Sequence, residues 1–322
     1  MIKRLLLAAL AAHLFSCAAA SAAFPERTVR IIVPFAPGGV TDLAARLLAQ
    51  RLTVKWGQSV VIENRAGAGG LIGVDAALRA PADGYTILMS TNGEVVIHPA
   101  ASIKPKFNPL TDLIPIAMVT TTPYAWAVNV NSSYKSLADI VGAAKAKPGD
   151  LSFPSAGTGS TMHLATEQFA ASAGVKMQHV PYRGGAPAAT ALTSGEMQVG
   201  LVALSAVSPL VDSGNVRILA VTSKTRSKMF PDAPTVAETG VLKDFQASIW
   251  TALFAPKGTP ADIVAKIRVD TAEALKDPGF LEKLAAVGTD PGDAVGAELT
   301  QRMTREIDEV SKLAKAANIV LE

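Results

Sequence analysis

The stretch Ser155–Phe169, SAGTGSTMHLATEQF, sets a glycine-rich turn directly before the start of an amphipathic helix. Gly157 and Gly159 let the backbone come close to a ligand, and Ser155, Thr158, Ser160 and Thr161 ring the first helical N–H groups with hydroxyls. Exposed N–H groups at a helix start attract negative charge, so the chemistry on offer is capture of a carboxylate or phosphate. Ser160 and His163 also stand three apart on one helical turn, as a nucleophile and its base would. The G-x-S-x-G elbow of serine hydrolases is absent and no carboxylate partner is indicated, which favours ligand lining or helix capping for His163. A secreted hydrolase using Ser160 or Ser155 with His163 is the rival reading.

Three further loops share this build: Pro37–Asp42, Asn64–Gly70 and Tyr182–Gly185. In the first, Pro37, Gly38 and Gly39 make a rigid turn, and Thr41 or Asp42 can cap the helix that follows. All four loops are expected at the carboxyl ends of strands, the edge at which open α/β sheets bind ligands. One such loop is ordinary turn chemistry, whereas four on one edge point to a site. The spacings G-x-x-x-x-G-K-[ST] and G-x-G-x-x-G are both missing, which argues against a nucleotide. Arg65 and Arg183 each sit in a glycine-rich loop, where they can pair with a ligand carboxylate or stay solvated. Asn92 follows a strand end and is a further candidate ligand contact. His98 and His179 read as loop and strand residues, and the four histidines show no metal spacing, so neither metal nor cofactor is expected. Trp56, Trp126 and Trp250 read as packing residues.

These loops need strands and helices to carry them. Val29–Val33, apolar except for Arg30, reads as a strand buried in a parallel sheet, and Leu43, Ala44, Leu47 and Leu48 follow helical spacing after it. Val60–Ile62, Leu71–Leu78 and Tyr85–Met89 continue the strand, helix, strand rhythm of an α/β fold. Asn92–Pro115 is irregular and broken by prolines, and Ile116–Val130 is an extended passage that leaves the first lobe near Tyr124. A second lobe then needs a helix over Leu137–Ala146 and strands at Leu151–Phe153, Gln178–Val180, Val199–Ala203 and Val216–Val221. Pro187 suits the start of a helix there, and Gly195 its C′ position. Thr235-Val236-Ala237-Glu238 has capping-box spacing for a short helix. Ile249–Phe254 returns to the first lobe, and helices over Ala261–Leu275, Gly279–Ala286 and Ala297–Ala317 cover it. The implied division is 24–124 with 246–322 as one lobe and 125–245 as the other.

Residues 1–23 read as a secretory signal peptide, with Lys3 and Arg4 ahead of the apolar run Leu5–Phe15 and small residues up to Ala23. The mature chain is then a periplasmic protein, and no later segment has the length of a membrane span. Leu14-Phe15-Ser16-Cys17 has a partial likeness to a lipobox, so a lipid anchor on Cys17 is the lesser alternative. Removing Lys3 and Arg4 leaves 28 basic against 27 acidic residues, a balance that gives no electrostatic case for nucleic acid. About 300 mature residues exceed the usual single core, which favours two lobes.

Taken in order, these segments resemble the Bug-type periplasmic solute receptors of tripartite tricarboxylate transporters. The likeness rests on Val29-Arg30-Ile31-Ile32-Val33-Pro34-Phe35-Ala36-Pro37-Gly38-Gly39 with Asp42, on Glu63-Asn64-Arg65, and on Ala80-Pro81-Ala82-Asp83-Gly84-Tyr85-Thr86. In the second half it rests on Ser155–Ser160 with His163, on Val180-Pro181-Tyr182-Arg183-Gly184, and on Phe254-Ala255-Pro256. The resemblance implies a two-lobed periplasmic-binding-protein fold of type II character, built from two Rossmann-like domains with a hinge and an interlobe cleft. It implies a monomeric, non-enzymatic receptor that closes on a small carboxylate and delivers it to a large and a small membrane subunit. A role as the ligand-sensing subunit of a signalling system is the other functional alternative. The residues it carries over are Pro37, Gly38, Gly39, Thr41 and Asp42 on one wall, and Ser155, Gly157, Gly159, Ser160, His163, Tyr182 and Gly184 on the other. Gln198 departs from the aspartate usual in the family and is expected at the mouth of the cleft, where it removes a negative charge.

Overall fold

The computed structural model describes residues 24–316, so the signal peptide expected at 1–23, with Cys17, lies outside them. The first lobe begins β1 (Val29–Val33), α1 (Val40–Trp56), β2 (Val60–Asn64), α2 (Leu71–Leu78) and β3 (Thr86–Thr91). Strand β1 pairs in parallel with both β2 and β3, the arrangement that helical crossovers produce. Its residues alternate between two cores: Val29, Ile31 and Val33 join one cluster and Ile32 the other. A strand buried on both faces needs a nearly continuous apolar run, and β1 carries one broken only by Arg30, whose guanidinium reaches out to Glu63.

The segment after β3 is more regular than its prolines suggest. A π-helical turn, Gly93–Ile97, leads into α3 (His98–Ala101), and α4 (Pro109–Asp112) follows. Pro99 and Pro109 fall in the first turns of these helices, where a missing N–H costs nothing. Strand β4 (Leu113–Asn129) then runs through both lobes. Its first part pairs antiparallel with β9 (Ser248–Pro256), which also borders β3. From Tyr124 onward it pairs instead with β7 (Val199–Ala203) and β8 (Val216–Val221). Thr222 fastens this crossover, with its N–H donating to the Tyr124 carbonyl at 2.9 Å and its hydroxyl to the Ala247 carbonyl at 2.6 Å.

The second lobe contains α5 (Leu137–Ala146), β5 (Ser152–Ser155), α6 (Thr161–Ala173), β6 (Gln178–Pro181), α7 (Gly185–Thr193) and α8 (Leu204–Asp212) around one core that includes Trp126 and Phe169. Sequence pattern gives no sign of α8, because Pro209 interrupts it and serines occupy its first turns. The Thr235–Glu238 capping box makes both its bonds, 2.7 Å and 3.2 Å, but around a turn rather than a helix. Helices α9 (Ala261–Ala274), α10 (Pro278–Ala285) and α11 (Ala297–Ala316), with the short strand β10 (Asp290–Pro291), complete the first lobe. Trp56 and Trp250 are packing residues whose indole N–H groups are tied to Asp270 and Glu306. Among the described residues, no helix is long and apolar enough to cross a membrane.

Candidate ligand-binding site

A cavity of about 30 Å³ is enclosed where the two lobes meet. Four helices begin on its wall: α1 at Gly39–Thr41, α6 at Ser160–Met162, α7 at Gly185 and α8 just after Ala203. The N–H groups of a first turn have no partner inside their own helix, so the wall presents several donors and the positive ends of several dipoles. No Asp, Glu, Lys, Arg or His side chain lines it. The remaining lining is apolar, including Phe35, Val40, Met162 and Ile249, with hydroxyls from Thr91, Tyr124 and Thr161. This combination can hold an anion with an apolar body, and it does so with groups that do not titrate near neutrality.

Local chemistry fixes each helix start. Ser160 has an extended backbone and its Oγ accepts the His163 N–H at 3.3 Å, which makes it the cap of α6. Neither Thr41 nor Asp42 caps α1, because that helix starts at Val40 with Gly39 as its N-cap. Asp42 instead reaches back to accept the Gly38 N–H at 3.0 Å, and it is held by Arg46 at 2.8 Å and Asn64 at 2.9 Å. Burial opposes the charge on Asp42, but those three donors outweigh it and hold the carboxyl below its usual range. Asp42 is therefore a loop organiser behind the wall, and an anionic side chain so placed would repel a carboxylate.

The lobes touch through backbone on both sides of the cavity. The Ala36 N–H donates to the Arg183 carbonyl at 3.1 Å. Gly184 sits at φ 149°, and a Cβ there would lie 3.1 Å from the Ala36 nitrogen. On the other side Gly69, at φ 62°, meets the loop Gly157–Thr158, and a Cβ on it would come within 2.2 Å of the Thr158 carbonyl oxygen. Only glycine allows these approaches. Asn92 joins the same closure: its Oδ1 accepts from Thr161 Oγ1 at 3.1 Å and Trp250 N–H at 3.3 Å, and its Nδ2 donates to the Ser248 carbonyl at 3.2 Å. These bonds use both lone pairs of its oxygen and one of its two N–H donors, and Asn92 also lines a groove beside the cavity.

Of the residues singled out from sequence, Gly39, Thr41, Ser160 and Thr161 line the cavity. Pro37 and Gly38 are exposed and shape the turn before α1. Ser155 is fully buried beneath the loop, 2.6 Å from His179 Nε2, and it accepts the Gly157 N–H at 3.0 Å. A Ser–His pair therefore exists, but with His179 rather than His163. It lies under the loop and has no carboxylate partner in the hydrogen bonds described, so nothing orients the imidazole for catalysis. His163 takes the Gly159 N–H on its Nδ1 at 3.2 Å, which removes that amide from the anion-binding set. His163 and His179 stack with ring centroids 3.8 Å apart. Burial, and for His163 also the neighbouring histidines, pushes both down to about 4, so the pair is uncharged near neutral pH.

Thr158 is exposed, and Gly157 and Gly184 serve as interlobe spacers. The Tyr182 hydroxyl donates to Glu196 at 2.6 Å, away from the cavity lining. Gln198 is exposed and immediately precedes β7, whereas the opposite end of that strand, Ala203, lines the cavity. The structure therefore places Gln198 at the far edge of the second lobe, about 16 Å of strand from the site at 3.3 Å per residue. Arg65 is engaged with Glu63, and Arg183 is exposed. Trp126 belongs to the second core.

Sequence reasoning passed over Thr91 and Tyr124. Thr91 ends β3 at the carboxyl edge, so the rule that singled out Asn92 applies equally one residue earlier. Tyr124 stands at the crossover, and only the fold turns it inward. A larger groove of about 560 Å³ opens on the flank between α6 and α11, sharing Thr161 with the cavity. The helix starts at Gly39, Gly185 and Leu204 border the smaller cavity and do not reach this groove, which Asn92 and Thr161 line. Among the described residues no cluster of His, Cys, Asp and Glu is arranged to hold a metal ion.

Residues 44–319 match the family described as tripartite tricarboxylate transporter family receptor. Protein BugT of Bordetella pertussis is 40% identical over 270 residues, which span 83% of this chain and 82% of BugT. A structure of Rpa4515 of R. palustris with adipate shares 35% identity at a TM-score of 0.88, over 92% of this chain and 99% of the other. The periplasmic binding protein BugD shares 32% identity at a TM-score of 0.88, over 93% of this chain and all of the other.

Proposed function

The chain belongs to the tripartite tricarboxylate transporter receptor family, and from that membership we propose that its interlobe cavity captures a small organic carboxylate. The observation that carries this reading is the convergence of four helix starts on one enclosed wall that has no charged side chain. One ligand carboxylate is held by Ser160 and by N–H groups of α1, α6 and α7, and the apolar lining takes the carbon skeleton. The adipate in the Rpa4515 structure is a ligand of this chemistry.

A cavity of about 30 Å³ has room for a water or two, each needing roughly 10–15 Å³, and is far below the roughly 300 Å³ at which ligand pockets begin, so it is too small for a dicarboxylate. The lobes, 24–124 with 246–322 and 125–245, must part at the crossover around Tyr124, Thr222 and Ala247 to admit one. Ligand then contributes contacts that favour a closed state. The protein acts without catalysis, as a monomer exported to the periplasm, and presents its ligand to the large and small membrane subunits of the transporter. Thermal-shift measurements against dicarboxylates, tricarboxylates, aromatic acids and acidic amino acids test this, because a ligand that binds only the folded state raises the melting temperature by mass action. Indifference to every organic acid would overturn it.

A further inference from the structure

We propose that Glu94, Thr91 and Tyr124 form a second, proton-linked subsite, so that the cavity takes a two-headed acid together with one proton. This rests on the receptor reading above and names the ligand class and pH response of that same site.

Glu94 is fully buried in the π-helical turn behind the cavity wall. Its Oε2 accepts from Ser90 Oγ at 2.8 Å, Thr91 N–H at 2.8 Å and Thr91 Oγ1 at 2.9 Å. No ion pair to it is present among the described residues. Thr91, which lines the cavity, has a single hydroxyl proton and also accepts the Gly93 N–H at 3.0 Å. With Glu94 ionised, that proton is spent on the carboxylate, and Thr91 turns only a lone pair to the cavity. With Glu94 protonated, the carboxyl can donate to Thr91 Oγ1, and the Thr91 O–H is released to donate to a ligand. Glu94 thus decides whether Thr91 repels or receives an anion.

Tyr124 supplies the independent sign of a ligand. Tyr124 is 1% exposed and lines the same cavity, and its hydroxyl makes no hydrogen bond of normal geometry among the described residues. A buried donor left unpaired is costly, and an acceptor brought by a ligand would relieve it. Burial and the Glu94 charge both raise its proton affinity, so the phenol stays a donor. The Thr161 hydroxyl donates to Asn92, and its oxygen is the one nearby acceptor for the phenol among the described residues, a neutral one that a ligand carboxylate would outmatch.

Among the described residues, no cation is paired with Glu94. Strand β3 offers it Ser90 and Thr91, and the loop ahead of α2 offers the backbone of Gly70. Strand β4 presents Tyr124, and α6 presents Thr161 against Gly93. His98, on the following helix, is buried with Nε2 toward Gly69, and burial lowers its proton affinity. On α11, Arg302 and Glu306 are paired at 2.8 Å, and Glu306 also accepts from Trp250. Burial raises the Glu94 carboxyl to about 7, which puts the exchange in the neutral range.

The test is calorimetric titration of the mature receptor with adipate, between roughly pH 6.5 and 8.5, where adipate remains a dianion. Runs at each pH in buffers of different ionisation enthalpy measure the protons exchanged. The expected results are uptake approaching one proton and affinity falling about tenfold per pH unit above the Glu94 midpoint. Glu94→Gln should abolish both, and Tyr124→Phe should weaken adipate at least fivefold while leaving hexanoate within twofold. Adipate binding without proton uptake, or with the same slope in Glu94→Gln, overturns the subsite and leaves the receptor reading standing. A diamine that binds more tightly as pH rises, and only when Glu94 is present, also overturns it. If no organic acid binds, the receptor reading fails and this inference with it.

Discussion

The two sides that face each other across the cavity are each backed by titratable groups shielded from water, a half-buried histidine pair on one and a fully buried glutamate on the other. Behind the second-lobe loop 155–160 stand His163 and His179, pushed down to about 4 and therefore neutral. Behind the first-lobe strand end stands Glu94, pushed up to about 7 and therefore at the edge of neutrality. Burial has the same effect on both: each favours the uncharged form. The consequences are opposite in pH, since the histidines resist protonation and the glutamate resists losing its proton. Neither the histidine pair nor the glutamate thus puts a firm charge behind the dipole-lined cavity at neutral pH, but only the glutamate sits close enough to physiological pH to respond to it.

The comparison presupposes that the two loops meet, and Gly69→Ala is the variant that separates them. A methyl group there falls 2.2 Å from the Thr158 carbonyl at a φ of 62°, so the closed state loses a backbone contact and gains strain. The cost to closure is about 2–3 kcal/mol, or roughly a hundredfold in ligand affinity. Calorimetry with adipate should show that loss with the melting temperature nearly unchanged, because neither lobe core is touched. A variant that binds normally would show that this contact is not needed for capture.

Next in size is the pH dependence of stability, where the two sides should part. Between about pH 4.5 and 7 the folded protein holds the Glu94 proton while the unfolded chain has released it, so stability falls as pH rises. The full effect is on the order of 3 kcal/mol above pH 7, and Glu94→Gln should remove it. Denaturant melts at pH 5 and pH 8 measure this: the wild type should be more stable at pH 5 than the histidines alone would allow, and the variant should gain most at pH 8. An unchanged pH 8 midpoint in the variant would place the Glu94 charge outside the folded-state balance.

The histidine side runs the other way. The unfolded chain takes up protons on His163 and His179 below about 6.5, whereas the folded protein takes them up only near 4, so stability is present above 6.5 and lost as pH falls toward 4. Each ring is partly exposed, so the effect is on the order of 1–2 kcal/mol per histidine after solvent screening. His163→Gln and His179→Gln should each flatten the acid limb of the stability curve and leave the limb above pH 7 as it is. A variant with the wild-type acid limb would remove that histidine from the comparison.

Much of this was readable in advance where local chemistry decides the outcome. The run Val29–Val33 predicted a strand buried on both faces, and its residues do alternate between two cores. Ser160 was readable as part of a helix start because a cap and a glycine turn leave a sequence signature, and it does cap α6 at the cavity wall. The rest was hidden by contacts between parts far apart in the chain. Tyr124 became a cavity residue only because β4 changes partners there, and the ties of Asn92 to Thr161, Trp250 and Ser248 come from parts of the chain far from it in sequence. Ser155 and His179, 24 residues apart, meet only through the pairing of β5 with β6. Pro209 concealed α8, and with it one of the helix starts at the site.

The smallest expected effect belongs to Gln198, and its value is as a control on distance. An aspartate there would add a negative charge at the family's usual position, and a model of specificity based on charge near the cleft would expect weaker anion binding. Gln198 is exposed, and a whole strand separates it from Ala203 at the cavity. That separation, about 16 Å at 3.3 Å per residue, exceeds the screening length of roughly 8 Å at physiological ionic strength. Gln198→Asp should therefore change adipate affinity by less than about 0.3 kcal/mol, under twofold, at 0.15 M salt. A loss of tenfold or more would mean that charge at the far end of β7 is felt in the cavity, and screening would then not explain why Glu94 matters and Gln198 does not.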